Sequence, residues 1–581
     1  MKRLSAVAFL LLFSLAASAT PTEDLRAVVA DYDAQLAIAD PIEAGNRGDL
    51  AAARRWPDVS PAAIAGQGRA MSALKRRLLA IDAAALTGED ALNHALLRYR
   101  LDLDLEGQTF DEERIPFNND SGFFDLPGEA AENTRLHNTE EAEAYLARLD
   151  ALPDFLAAEI ANMRRGIATG FVQPKLVAES AVRMSRTIAG RTPEDSPLLV
   201  PIAQLPATLP ASQRDAFKKR ALEIITQRDK PAEQAVATFF AQDYLPKARK
   251  DLGASTLPGG KAYYAYCVRR ETTTNLTPDQ IYALGRSEIT RIRAEMDKVI
   301  AQTGFTGDFA SFLTFLRQDP RFYAPSREAL LEKASRLAKR VDDKLPAFFS
   351  LLPRLSYGVR PVPTDIEEGY TSGRYNPGSP LQGVAGGLMI NTSHLDQRPL
   401  YELPALVAHE GAPGHHIQIA IAQELQDVPQ FRRQDDNTAF VEGWALYSEG
   451  LAAEFGLYDT PYERFGMLSM EMWRACRLVM DVGIHWKGMG REEAAACLRT
   501  NSALAEKNIQ TETDRYIAWP GQALGYKIGQ LKILELRHRA EARLGSAFDL
   551  RRFHDLVLDE GPMPMRILEE RVDRWIAQQG K

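Results

Sequence analysis

With 581 residues, 45% hydrophobic and 25% charged, the chain is too long for one compact core, and its composition argues against wholesale disorder. A formal charge of −8 without a basic run argues against a nucleic-acid or anionic-membrane partner. Three cysteines, Cys267, Cys476 and Cys497, none in a C-x-x-C, make neither a disulfide framework nor a thiolate metal site, and leave open whether Cys476 and Cys497 are bridged.

At the N-terminus Lys2 and Arg3 precede the apolar run AVAFLLLFSLAA, and Ala17-Ser18-Ala19 offers small residues for signal-peptidase cleavage. The run is too short to span a bilayer, so residues 1–19 read as a secretory signal rather than an anchor. Cleavage would move the formal charge from −8 to about −10, because the segment holds two cationic residues and no acidic one. No cysteine follows the cleavage site to carry a lipid, and no later segment is apolar enough for membrane insertion. The expectation is an exported protein, periplasmic or secreted.

Residues 20–250 form an Ala/Leu-rich helical region, as in AEAYLARLDALPDFLAAEIANMRRGIA. Within it TPEDSPLLVPIAQLPATLP (192–210) reads as a long surface connection. The stretch STLPGGKAYYAYCVRRETTTNLTPDQ marks the entry to a second region, 251–581. It ends in a well-signalled helix, with Thr277 as N-cap, Pro278 at N1 and Gln280 at N3 in a capping box. Ile281, Leu284, Ile289, Ile292, Met296 and Val299 then share a face, and Gly304 closes the run. Strand signals are few, the best being GGLMINTSHL (386–395). The fold class is therefore mainly α, with a small β-sheet beside the histidine motif that follows.

That motif is HEGAPGHHIQ. Three of the chain's nine histidines lie between 409 and 416, a density that scattered structural use rarely gives. LPALVAHE predicts a helix carrying His409 and Glu410 near its C-terminal end. A neutral imidazole is a good zinc ligand, and the adjacent carboxylate can act as base towards a metal-bound water. In H-E-x-x-H the second histidine stands four residues on, but here that position is Pro413. Pro413 and Gly414 cannot continue a helix smoothly, which predicts a bulge or short loop. Three extra residues make close to one full turn, so the phase favours His416 as second ligand, with His415 as the alternative. NTAFVEGWALYSEGLAAE supplies a third ligand, Glu442, followed by Gly443, a small residue that lets this helix approach the metal. Glu449 lies on the same face and can orient a histidine.

These segments carry a resemblance. VEGWALYSE resembles the N-E-G-F-A-x-Y-x-E segment of gluzincin aminopeptidases, and H-E…G-H-x-Q resembles the metal helix of the helical carboxypeptidases and oligopeptidases related to angiotensin-converting enzyme. HEGAPGHHIQ, FVEGWALYSE, TTTNLTPDQIYALG and WPGQALGYKIGQL together resemble the bacterial DUF885 family, a zincin-like group, over about residues 255–581. The resemblance implies a helical zincin-like fold whose two halves flank a channel. It also implies zinc on His409, one of His415 and His416, and Glu442, with Glu410 as catalytic base. Helical zincins supply a tyrosine from a distal helix to the oxyanion, which points to Tyr526; His485, with Asp481 one turn earlier to hold its ring, is the second candidate. Asn391, on a strand expected to be an edge beside the metal helix, is a candidate for binding substrate backbone, and GRYNPGSP (373–380) for a lid above it.

The expected activity is a zinc metallopeptidase acting on short peptides through attack by a zinc-bound water. Two alternatives stand beside it: a metal-dependent hydrolase of another amide or ester, and a non-catalytic periplasmic binding protein on a zincin scaffold. A serine hydrolase is disfavoured because the chain has no G-x-S-x-G. The sequence does not fix endo- or exopeptidase action, side-chain preference or oligomeric state.

Overall fold

The computed structural model describes residues 20–579 except 365–366, 381–382 and 434–436. The segment read as a signal peptide lies outside the described residues. The architecture is mainly helical with one three-stranded sheet. The elements that position the site are α1 (Pro278–Gln302), β1 (Tyr357–Pro361), β2 (Gly373–Asn376), β3 (Gly386–Ile390), α2 (Leu403–Glu410), α3 (His415–Glu424), α4 (Thr438–Glu454), α5 (Pro461–His485), α6 (Glu506–Ala518) and α7 (Gly525–Leu544).

Helix α1 begins as its sequence signals. The Thr277 side chain accepts from the Gln280 N–H while Gln280 reaches back to the Thr277 N–H, and Gly304 just past the end takes φ +72°. Its Gly285 lies against α5, where a Cβ would come 2.7 Å from Cβ of Leu478. Helix α5 is buried along most of its length, and a disulfide from Cys476 to Cys497 ties it to the following helix Arg491–Asn501.

Helices α4 and α7 meet through two glycines. A Cβ on Gly443 would come 2.5 Å from Cα of Gly529, and one on Gly529 would collide with the Ala439 carbonyl. Gly443 therefore serves the approach of α7, not of a metal.

The interior forms three apolar clusters. Two of them combine residues from both sides of position 250: Leu149 and Phe240 pack with Met472 and Ile517, and Leu25 and Leu97 with Trp444 and Val572. The segment 192–210 differs from a surface connection, because Leu198, Leu199, Ile202 and Leu205 are buried and the chain makes short helical turns there. The punctuated stretch after residue 255 likewise contains a helix, Gly260–Thr272, that buries Tyr263, Tyr264 and Tyr266.

In the sheet, β3 is central, parallel to β1 and antiparallel to β2. The GGLMI strand is therefore not an edge. The edge beside α2 is β2, the first half of the segment expected to form a lid. It is held to β3 across the register Gly373↔Ile390 to Asn376↔Gly387.

Candidate metal centre

Helix α2 ends at Glu410 because Gly411 leaves helical geometry (φ −92°, ψ −140°) and Pro413 has no N–H to extend the ladder. The Gly414 N–H turns back to the Ala408 carbonyl at 3.0 Å, and any Cβ at Gly414 would collide with the carbonyl oxygen of His409. A new helix, α3, then starts at His415. The expected interruption is present, but it is a break between two helices rather than a bulge within one, so the phase of α2 does not carry over.

The consequence is a correction: His415, not His416, joins His409 and Glu442. One ligand atom from each of these three residues lies within 4.8 Å of the others. The carboxylate Oε2 of Glu442 is 3.5 Å from Nε2 of His409 and 3.4 Å from Nε2 of His415. Three donors about 2.0–2.1 Å from a common centre at tetrahedral angles would stand roughly 3.3 Å apart, so this set fits a zinc ion. Oε2 of Glu442 is moreover buried and makes no hydrogen bond.

Around the cluster, His409 Nδ1 donates to Oε1 of Glu449 at 2.8 Å, leaving Nε2 to face Glu442. Glu449 takes the ring-orienting place read for it, and Arg474 of α5 stands 3.5 Å from the same oxygen. Burial opposes charge on His409, yet the carboxylates of Glu442, Glu449 and Glu410 outweigh it and hold its pKa at about 9. Glu442 sits well below the usual carboxylate range, because the two imidazoles outweigh the cost of burial.

His416 points elsewhere. Its ring packs on Tyr357 with centroids 4.3 Å apart, and its Nδ1 is 3.0 Å from the Tyr375 hydroxyl. Burial, against a backbone contact to Leu355, pushes its pKa down to about 4, so the ring is neutral near pH 7 and accepts the hydroxyl proton. Tyr375 is held twice, because its backbone N–H donates to Oε2 of Glu410 at 2.7 Å. Nothing in the sequence singled out Tyr357 or Tyr375. Each sits on a short strand that the hydrophobic pattern does not announce.

The remaining expected residues are committed elsewhere. His485 accepts the Ala254 N–H at Nδ1 (2.9 Å) and donates Nε2–H to the Tyr516 carbonyl (2.7 Å), fully buried. Asp481 does not hold that ring; it takes the Tyr264 hydroxyl and the Gly521 N–H. The Tyr526 hydroxyl accepts from Arg515 at 3.3 Å, and its ring lies 4.1 Å from the Arg477 guanidinium. Two arginines, the buried Arg477 and the half-buried Arg515, thus claim the side chain. Asn391 spends its amide on the carbonyls of Glu367 and Tyr370 and its oxygen on Ser393, so it braces a loop, although it also lines the cavity at Glu410.

Glu410 forms part of the wall of a narrow cavity of ≈ 70 Å³, with Ser372 and Gly373 of the β2 edge, Arg398, Glu402 and Arg474. The charged residues other than Glu410 were not anticipated, since an isolated arginine in RPLYELP or MWRACR carries no local signal.

Residues 41–572 match the family described as bacterial protein of unknown function (DUF885). The chain belongs to this family. A crystal structure described as that of a lipoprotein candidate from Colwellia psychrerythraea is similar over 96% of this chain and 100% of its own, at 27% identity and a TM-score of 0.89. A second, described as a lipoprotein candidate of unknown function from Shewanella oneidensis, is similar over 95% of this chain and 99% of its own, at 18% identity and a TM-score of 0.74. It shares the fold. No curated protein shows significant similarity to the chain. Among the described residues of this DUF885 member, no helix is long and apolar enough to cross a membrane.

Proposed function

We propose that this protein is an exported, zincin-like metallopeptidase that hydrolyses short peptides. The observation that carries the reading is the orphaned, buried Oε2 of Glu442 between two imidazole nitrogens, with Glu410 directly following one of those histidines. A carboxylate kept anionic in the interior without a hydrogen bond calls for a cation, and this donor set suits zinc.

Held by His409, His415 and Glu442, zinc would supply a Lewis acid towards a substrate carbonyl and towards water. Glu410 takes the proton of the attacking water and passes it to the leaving amine. Glu449 accepts the Nδ1–H of His409 and so fixes both tautomer and ring orientation, with Arg474 steadying Glu449. Tyr375 holds Glu410 through its backbone N–H on the outer edge of β2, where an extended peptide can add as a further strand. A narrow cavity beside a strand edge suits chain ends and unstructured peptides better than folded surfaces.

Export is supported by the similarity to the Colwellia psychrerythraea protein, which is described as a lipoprotein candidate.

The test combines metal analysis of the purified protein with cleavage of a mixed peptide library, with and without chelator. The expected result is about one zinc per chain, chelator-sensitive cleavage, and a loss of about 10²–10⁴-fold in kcat for Glu410→Gln with metal retained. Absence of any tightly bound transition metal would defeat the proposal. Chelator-sensitive turnover of esters or non-peptide amides with none of peptides would move it to another hydrolase.

A further inference from the structure

Of the two arginines in the wall of the cavity at Glu410, Arg398 makes no ion pair among the described residues. Its Nη1 donates to the hydroxyl of Ser372 at 3.3 Å, and its buried Nε has no partner. Burial lowers its pKa, and the acidic groups around it, Asp396, Glu402 and Glu368, do not make up the difference. The one of these in the cavity wall, Glu402, is itself pushed up to about 7 by burial, so it is a weak counter-charge. Arg474, by contrast, has Glu449 at 3.5 Å. A half-buried guanidinium with no carboxylate is costly to maintain unless a ligand brings one, and its planar fork suits that group.

The strand geometry places this cation relative to Glu410. The Asn391 N–H bonds the Ser372 carbonyl, which makes 372 and 391 a hydrogen-bonded pair. In an antiparallel ladder such pairs alternate, so Gly373 and Tyr375 turn their backbone groups away from β3. The Tyr375 N–H on Glu410 agrees with this. From Ser372 to Tyr375 an extended strand covers roughly 10 Å at about 3.3 Å per residue. A peptide paired antiparallel to β2 would run its C-terminal side from Glu410 towards Ser372, which is where Arg398 waits.

We propose that Arg398 binds a carboxylate of the substrate, two to three residues to the C-terminal side of the bond cleaved at Glu410. The carboxylate is either the free C-terminus or an acidic side chain. This rests on the peptidase reading for the cleavage, but the subsite itself is testable by binding alone. It assigns the cavity a preference for anionic peptide ends, which the metal cluster does not supply.

The experiment uses the metal-loaded full chain carrying Glu410→Gln, so that turnover does not intervene, with and without Arg398→Gln. Calorimetry measures acetyl-Ala-Ala-Ala with a free carboxylate, its C-terminal amide, and the amides of acetyl-Ala-Glu-Ala and acetyl-Ala-Gln-Ala. The expected result is at least tenfold tighter binding of the free carboxylate than of its amide, a preference that Arg398→Gln erases and Arg398→Lys partly keeps. Tighter binding of the Glu peptide than of the Gln peptide, erased in the same way, assigns the site to a side chain instead. Thermal unfolding confirms that each variant is folded. Equal binding of acid and amide, no binding of any peptide, or an equal loss on both forms with Arg398→Gln would overturn the proposal. Carboxylate-selective binding in a protein whose parent cleaves no peptide would overturn only the peptidase reading.

Discussion

Two sets of buried carboxylates in this chain meet opposite fates. Asp229 and Glu159, in the N-terminal helices, make no ion pair among the described residues, and both oxygens of Asp229 and one of Glu159 lack a hydrogen-bond partner. Burial pushes each up to about 8, so each is neutral over much of the physiological range. Glu442 is as thoroughly enclosed at its Oε2, yet His415 and His409 hold it well below the usual carboxylate range. Burial alone neutralises an acid. It takes built-in cationic neighbours to keep one charged, and where its oxygen still has no hydrogen bond, the arrangement reads as a site for a cation rather than as packing.

The sharpest way to break that comparison is to remove one imidazole. His415→Ala should leave two protein ligands, with zinc content falling from about one per chain to near zero by mass spectrometry of the desalted protein. His416→Ala should keep its zinc, since that ring faces Tyr357 and Tyr375. The reverse outcome would mean that the two helices meet differently from the geometry described.

A step smaller is the carboxylate behind the cluster. Glu449→Gln keeps the shape and an acceptor oxygen but removes the negative charge behind the His409 ring, and zinc affinity, read by competition with a chromogenic chelator, should weaken about 10–100-fold. An unchanged affinity would make Glu449 a packing residue like its N-terminal counterparts.

Zinc should also stabilise the fold. At a free concentration a hundredfold above Kd the gain is about 2.7 kcal/mol, so a chelator should lower Tm of the parent and leave that of His415→Ala in place. Equal shifts in both proteins would place the metal elsewhere.

The smallest effect tests the other side of the comparison. The folded-state pKa of Asp229, about 8, lies above its unfolded value near 3.9. Between those values the folded state holds the extra proton, so this group's contribution to stability is fullest below about pH 4 and is lost as pH rises towards 8. Asp229→Asn should remove this slope, raising stability at pH 8 and changing it little at pH 4. Denaturant midpoints at the two pH values measure the difference. A variant less stable at pH 8 than the parent would show that Asp229 is ionised in the fold.

The sequence by itself determined what local chemistry can announce. The capping box at Thr277, the break at Pro413 and Gly414, and the nearness of Glu449 to a histidine follow from residue type and helical spacing, and each has its place in the structure; Glu442, chosen on the same grounds, stands in the His409–His415 cluster. Only the tertiary structure decided between His415 and His416, because a new helix starting after a turn takes its phase from what the turn packs against, not from the helix before it. The same reason committed His485 and Tyr526 to partners of their own and Asn391 to a loop in the cavity wall. Their side chains are as suited to catalysis as to bracing a core, and only their neighbours, Tyr516, Arg515 and Glu367, settle which they do. Arg398 was invisible for the opposite reason: its meaning lies in its having no ion pair among the described residues, which depends on every chain segment around the cavity and on no spacing along the sequence.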